Sequence, residues 1–216
     1  MTDPTAEDLE AKREFITAYF EERASLVGFL PTLDEQGHEL EARTLCLVYI
    51  EGLANGLNLP GANSPRYFSK ALVEYGGEEQ LFSLILPKWL MKALHWKNAP
   101  RGLDAALATA IAALAPDQAF LPTEFLDRVK PHLTPDQFKW LEPELWRGSI
   151  ANGVYVSLRS PAVHFGGVTH GMSVSSTFRG KPIPRIDFHN LYPALVSLLA
   201  HAKEVSEATG KWFGVE

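Results

Sequence analysis

Residues 39–57 read ELEARTLCLVYIEGLANGL, and this run decides the class of fold. Wound at 3.6 residues per turn it is apolar on nearly every side, which is the pattern of a helix surrounded by other helices. Asn58 to Gly61 then supplies the breakers that end it. A core is therefore expected around Leu45, Leu47, Val48, Tyr49 and Ile50, with Cys46 among them. Cys46 is the chain's single cysteine, so an intramolecular disulfide is impossible and a cysteine-type structural zinc site is excluded in practice. In this setting it reads as a small buried hydrophobe.

Working outward, helical signals continue on both sides. Residues 6–28 space Leu9, Phe15, Ile16, Tyr19, Phe20 and Leu26 by threes and fours, describing an amphipathic helix that Pro31 and the turn at Asp34-Glu35-Gln36-Gly37 should end. Ser64-Pro65 has the form of an N-cap and first helical residue, for a helix that stops at Gly76-Gly77. Leu103, Leu107, Ile111 and Leu114 make one stripe between Pro100 and Pro116. Thr134-Pro135-Asp136-Gln137 is a capping box with proline at its first helical position, and Leu133 is placed to pack on Phe138. Leu145, Trp146, Ile150, Val154 and Leu158 extend a helix to Arg159, where Pro161 should prevent simple continuation. Residues 172–186 change to a short β-hairpin pattern with its turn at Arg179-Gly180-Lys181-Pro182. Asp187 caps a last helix in which Leu191, Leu195, Leu198, Leu199, Ala202 and Val205 face inward and Gly210 is the stop. The expected fold is mainly α, an antiparallel helical bundle in one domain over residues 1–216, with the small hairpin appended. Leu81 to Asn98 stays unassigned, because Pro87 interrupts an apolar pattern containing Trp89, Leu90, Leu94 and Trp96.

Composition narrows the function classes. The 216 residues carry 26 acidic and 20 basic side chains, net charge −6, which argues against coating long nucleic acid through a broad basic face but allows a small basic site. Met1 to Arg13 is charged where a secretory signal would be apolar, and no apolar run approaches the ~20 residues that span a bilayer. A cytoplasmic protein with no membrane segment is the expectation.

One segment carries sharp chemistry. Arg159-Ser160-Pro161-Ala162-Val163-His164 sets a permanent planar cation five residues before a side chain that titrates near neutrality, just ahead of Gly166-Gly167. Guanidinium matches phosphate oxygens, while imidazole can move a proton between a ribose 2′-hydroxyl, the phosphate and the leaving group. Together they could cut RNA without a metal or other cofactor.

In this context the segment resembles the HEPN family, whose members carry arginine, four to six residues, then histidine at the end of a long helix of an antiparallel bundle. The resemblance covers about residues 143–210, with the approach helix before Arg159 and the amphipathic helix after Asp187 as its further elements. It implies a metal-independent endoribonuclease with RNA as substrate, Arg159 as phosphate clamp and His164 as acid and base. It also implies a homodimer whose two motifs face each other, and a toxin–antitoxin role with an antitoxin protein as partner, or a role in phage defence. Active members often follow the arginine with Asn, Asp or His, where this chain has Ser160 and then Pro161. Serine can still hydrogen-bond a phosphate. The proline either sets the backbone so that His164 meets Arg159 or displaces the histidine and leaves an inactive protein that binds a partner protein or a nucleotide-like ligand.

Blander readings stand beside each of these residues. Arg159 can cap a helix end and His164 can be a satisfied loop histidine. Tyr155, one turn before Arg159, can stack on a base or support the arginine, and support is the preferred reading. Arg179, Lys181 and Arg185 can receive an RNA backbone or form a solvated hairpin, and the solvated hairpin is the preferred reading. Arg66, Tyr67 and Phe68 can add to a site, but core is the preferred reading for Tyr67 and Phe68. His164, His170, His189 and Asp187 have no established metal-ligand spacing, so no metal is expected. Neither Gly76-Gly77 nor Gly166-Gly167 has the strand, spacing and lysine of a phosphate loop, and no Gly-x-Ser-x-Gly elbow occurs.

Overall fold

The structure is a computed structural model and describes residues 6–58, 64–77, 80–115, 117–161 and 171–214. It is mainly α-helical, with one small antiparallel ribbon, as the spacing of apolar residues requires. Helix α1 spans Ala6–Gly28, α2 Leu30–Glu35, α3 Glu39–Asn58 and α4 Ser64–Tyr75. Then come α5 (Pro87–Ala93), α6 (Leu103–Ala112), α7 (Pro122–Val129), α8 (Pro135–Leu141), α9 (Ile150–Val154) and α10 (Phe188–Thr209). Among the described residues no helix is long and apolar enough to cross a membrane.

The run at 39–58 forms the expected central helix. It packs on α2, α4 and α10, and Ala42, Cys46, Leu47, Ile50 and Ala54 are fully buried, while Leu45 and Val48, expected in the core, are exposed. Helix α10 closes the other side with Leu191, Leu195, Leu198 and Ala202, none of them exposed. Asp187 caps it by accepting from the His189 N–H at 3.0 Å, and Gly210 ends it with a left-handed φ of 63°. Ser206 takes the inward place that periodicity assigns to Val205, and its hydroxyl donates to Ala202 O and accepts from Phe213 N–H at 2.8 Å. In α1, Ile16, Phe20 and Val27 enter the core, whereas Phe15 and Leu26 lie on the flank and are exposed. Phe15 meets Trp212 edge to face.

A second group of buried side chains joins α5 through α8: Leu90, Leu103, Leu107, Phe125, Val129 and Leu141 among them. The unassigned stretch ties the two groups together. Ile85 exchanges backbone hydrogen bonds with Phe120 at 2.8 and 3.1 Å, Leu86 donates to Gly148, and Leu84 and Phe82 accept from Ile150 and Ala151. Pro87 does not interrupt a helix here; it begins α5, where a missing N–H costs nothing. Two glycines let α5 dock. A Cβ on Gly148 would lie 2.6 Å from Leu90 Cβ, and one on Gly153 would lie 2.2 Å from the Trp89 ring.

Three expectations are corrected. Pro31 opens the short helix α2 as well as closing α1. The hairpin over residues 172–186 forms, but its turn is tighter than expected: Thr177–Phe178 pairs with Lys181–Pro182 around Arg179-Gly180, and a bridge joins Met172 to Ile186 at the base. The helix to Arg159 is not continuous either. Residues Glu142–Gly148 form a 3-10 stretch, Ser149 is extended, and α9 starts afresh under the Ser149 side chain, which accepts from Asn152 N–H. Past Val154 the turn Tyr155–Arg159 is π-helical, and residues 160 and 161 stay helical. Pro161 cannot donate to the carbonyl four residues back and its ring crowds that carbonyl. A widened turn just before it accommodates both faults, so the proline is carried where the sequence suggested a stop.

Candidate functional site

The π-helical turn positions the one member of the Arg159/His164 pair that falls within the described residues. Wide turns of this kind occur often at functional sites. The Arg159 guanidinium points back toward α3 and is hydrogen-bonded to the Glu51 carboxylate. Both side chains are nearly buried, at 13% and 12% exposed. Tyr155 lies on the same face, its ring centroid 5.2 Å from the Arg159 guanidinium carbon, and Phe68 of α4 meets that ring edge-on at 5.4 Å. Burial raises the Tyr155 phenol above its ordinary value; Arg159 opposes the shift and Glu51 adds to it. The phenol is therefore neutral near pH 7, a donor and a cation-supporting surface and not an anion.

Ser160 is half-buried in the turn after Arg159. His164 and His170, with Gly166-Gly167, lie outside the described residues. Arg179, in the left-handed region at the hairpin tip, reaches Glu124 of α7 at 3.1 Å and packs over Phe178. That contact, more than any other, holds the Glu124 carboxyl below its usual range. Lys181 and Arg185 are exposed. Arg185 lies close enough to the buried Arg43 to lower its pKa further, after desolvation, the larger cause. His189 stands 3.9 Å from Asp34, and among the described residues no cluster of three metal-ligating side chains occurs.

Two features escaped the sequence reading. Glu51 is the first. A signal for it existed, since it is the one charged side chain between Leu45 and Asn58, and a lone charge in an apolar helix calls for a partner. The second is a groove of about 610 Å³ between α5 and α9, lined by Trp89, Lys92, His95, Trp146, Arg147 and Ser157 with their neighbours. No local pattern announces it, because its walls come from segments some sixty residues apart that only the glycine-mediated docking of α5 brings together.

Comparison with protein-family models, curated proteins and solved structures finds no match. The reading of function therefore rests on the residues themselves.

Proposed function

We propose that the protein is a HEPN-like, metal-independent endoribonuclease in which Arg159 clamps the scissile phosphate and His164 transfers protons. The observation that carries this reading is the π-helical turn that sets Arg159 against Glu51 five residues before His164. An anchored guanidinium is a preorganised donor, and preorganisation is what electrostatic stabilisation of a developing charge needs. The Tyr155 ring packs against it, and Ser160, next in the chain, brings a hydroxyl that can bond a phosphate. In the reaction the ribose 2′-oxygen attacks phosphorus and the bond to the 5′-oxygen breaks. His164 takes the 2′-hydroxyl proton and returns one to the departing 5′-oxygen, leaving a 2′,3′-cyclic phosphate and a 5′-hydroxyl. Two copies facing each other would complete the cleft, with an antitoxin protein as the controlling partner and toxin–antitoxin or phage defence, in the cytoplasm, as the setting. Arg179, Lys181 and Arg185 would meet the flanking RNA backbone.

One observation favours a second reading, a catalytically silent helical protein that binds a partner protein or nucleotide-like ligand. The Arg159 cation already has a carboxylate, and a phosphate arriving there meets Glu51 as well. Product ends separate the two. With chelator present, an active enzyme cuts RNA to 5′-hydroxyl ends and leaves the same strand uncut when the 2′-hydroxyl at the scissile position is replaced by hydrogen. Intact RNA after prolonged incubation would favour the silent protein.

A further inference from the structure

The groove between α5 and α9 differs from the chain that surrounds it. In a protein of net charge −6, its wall carries Lys92, Arg147 and His95 and no carboxylate. The contrast with the cavity between α1 and the end of α10 is plain, for Glu10, Glu14 and Glu21 line that one beside Arg13. Two indoles, Trp89 and Trp146, supply flat π surfaces in the same groove. Trp89 is held in place, since its ring packs where a Cβ on Gly153 would be. The Arg147 guanidinium lies over Trp146 with its carbon 4.6 Å from the ring centroid, and its Nε is hydrogen-bonded to the Glu144 carboxylate. Lys92, by contrast, is exposed at the rim.

Fixed aromatic faces next to cations match the chemistry of a single nucleotide within a strand. A base stacks on an indole or a guanidinium plane whatever its identity, and the neighbouring phosphate is met by lysine and arginine. A volume of about 610 Å³ falls in the ordinary range for small-molecule and cofactor sites, ~300–1,000 Å³. The groove also opens on Val156 and Ser157, the outer face of the turn whose inner face holds Arg159. We propose that this groove is a subsite for single-stranded RNA, seating one base against Trp89 and the Arg147–Trp146 pair and its phosphate at Lys92. The choice of RNA as ligand rests on the ribonuclease reading; the aromatic and cationic lining does not.

The test uses full-length protein carrying His164→Ala, so that RNA stays intact, and a fluorescein-labelled single-stranded hexaribonucleotide followed by anisotropy. Lys92→Glu and Ser157→Phe, both at exposed positions, are added singly, with thermal melts to show that each variant folds. Each should weaken binding about tenfold, Lys92→Glu by charge and Ser157→Phe by filling the groove. With Lys92→Ala the salt slope of the binding constant should shrink by about 0.7, one phosphate contact on a single strand. Unchanged affinity and slope in these variants, or no binding by the His164→Ala protein, overturns the subsite. The outcomes distinguish the two proposals. Uncut RNA with wild-type protein, together with binding that depends on Lys92, removes the nuclease and keeps the groove; cleavage with binding indifferent to Lys92 does the reverse.

Discussion

Arg159 and Glu51 meet where water is scarce, and that decides what their loss costs. Two charges taken out of solvent repay their desolvation only through each other and through further hydrogen bonds, so removing one strands the other. Glu51→Ala should destabilise the protein by about 3 kcal/mol in urea unfolding. Adding Arg159→Met to that variant should recover most of the loss, because an unbranched apolar side chain fills the space without leaving an unpaired charge. Equal stability of the wild type and Glu51→Ala would mean that the pair holds nothing together. Arg179 and Glu124 form an exposed pair, and pairs of that kind contribute little. Of these two pairs, the first is the one that holds its cation firmly.

At the scale of elements, the contact that shapes the candidate groove is the seat of α5 on residues 148–153. Gly153→Ala puts a methyl 2.2 Å from the Trp89 ring, so the ring must move. Overpacking of this kind costs about 2 kcal/mol. The melting temperature should fall and the tryptophan emission should shift; an unperturbed spectrum would show that Trp89 is not seated there. Elements with local signals were legible in the sequence. The Thr134 capping box forms as written, with Gln137 N–H donating to the Thr134 hydroxyl at 3.3 Å and Thr134 N–H donating to the Gln137 side-chain Oε1 at 2.9 Å. The Asp187 cap and the Gly210 stop were legible for the same reason, since each acts within a few residues. What failed was whatever depends on distant chain. The break at Ser149 is set by Phe82–Leu86 pairing against residues 148–151, and apolar spacing carries no trace of that partner. Within the candidate site, Arg159, Tyr155 and Ser160 were visible as a cluster, but the carboxylate that receives the arginine comes from a helix over a hundred residues earlier.

For the molecule as a whole, Cys46 is a built-in probe of stability. It lies at the centre of α3 with no exposed surface, and burial pushes its thiol well above the ordinary value. A raised folded-state pKa means that the contribution is fully present below the ordinary thiol value and lost as the pH climbs above it. Thiol labelling at neutral pH should therefore wait for the core to open, and its rate should rise in step with urea-induced unfolding. Fast labelling of the folded protein would contradict a core built around α3 and α10. That same core gives the candidate site its rigidity, since Glu51 is fixed by α3 and Tyr155 by Phe68 of α4.

Whether Arg159 and His164 act on one phosphodiester is measured most directly by single-turnover cleavage of labelled RNA in chelator, comparing wild type with His164→Ala and Arg159→Met. Loss of proton transfer should slow the histidine variant by ~10²–10⁴-fold. The arginine variant should slow comparably while remaining folded, and RNA should still bind. Cleavage by His164→Ala at the wild-type rate would contradict the account.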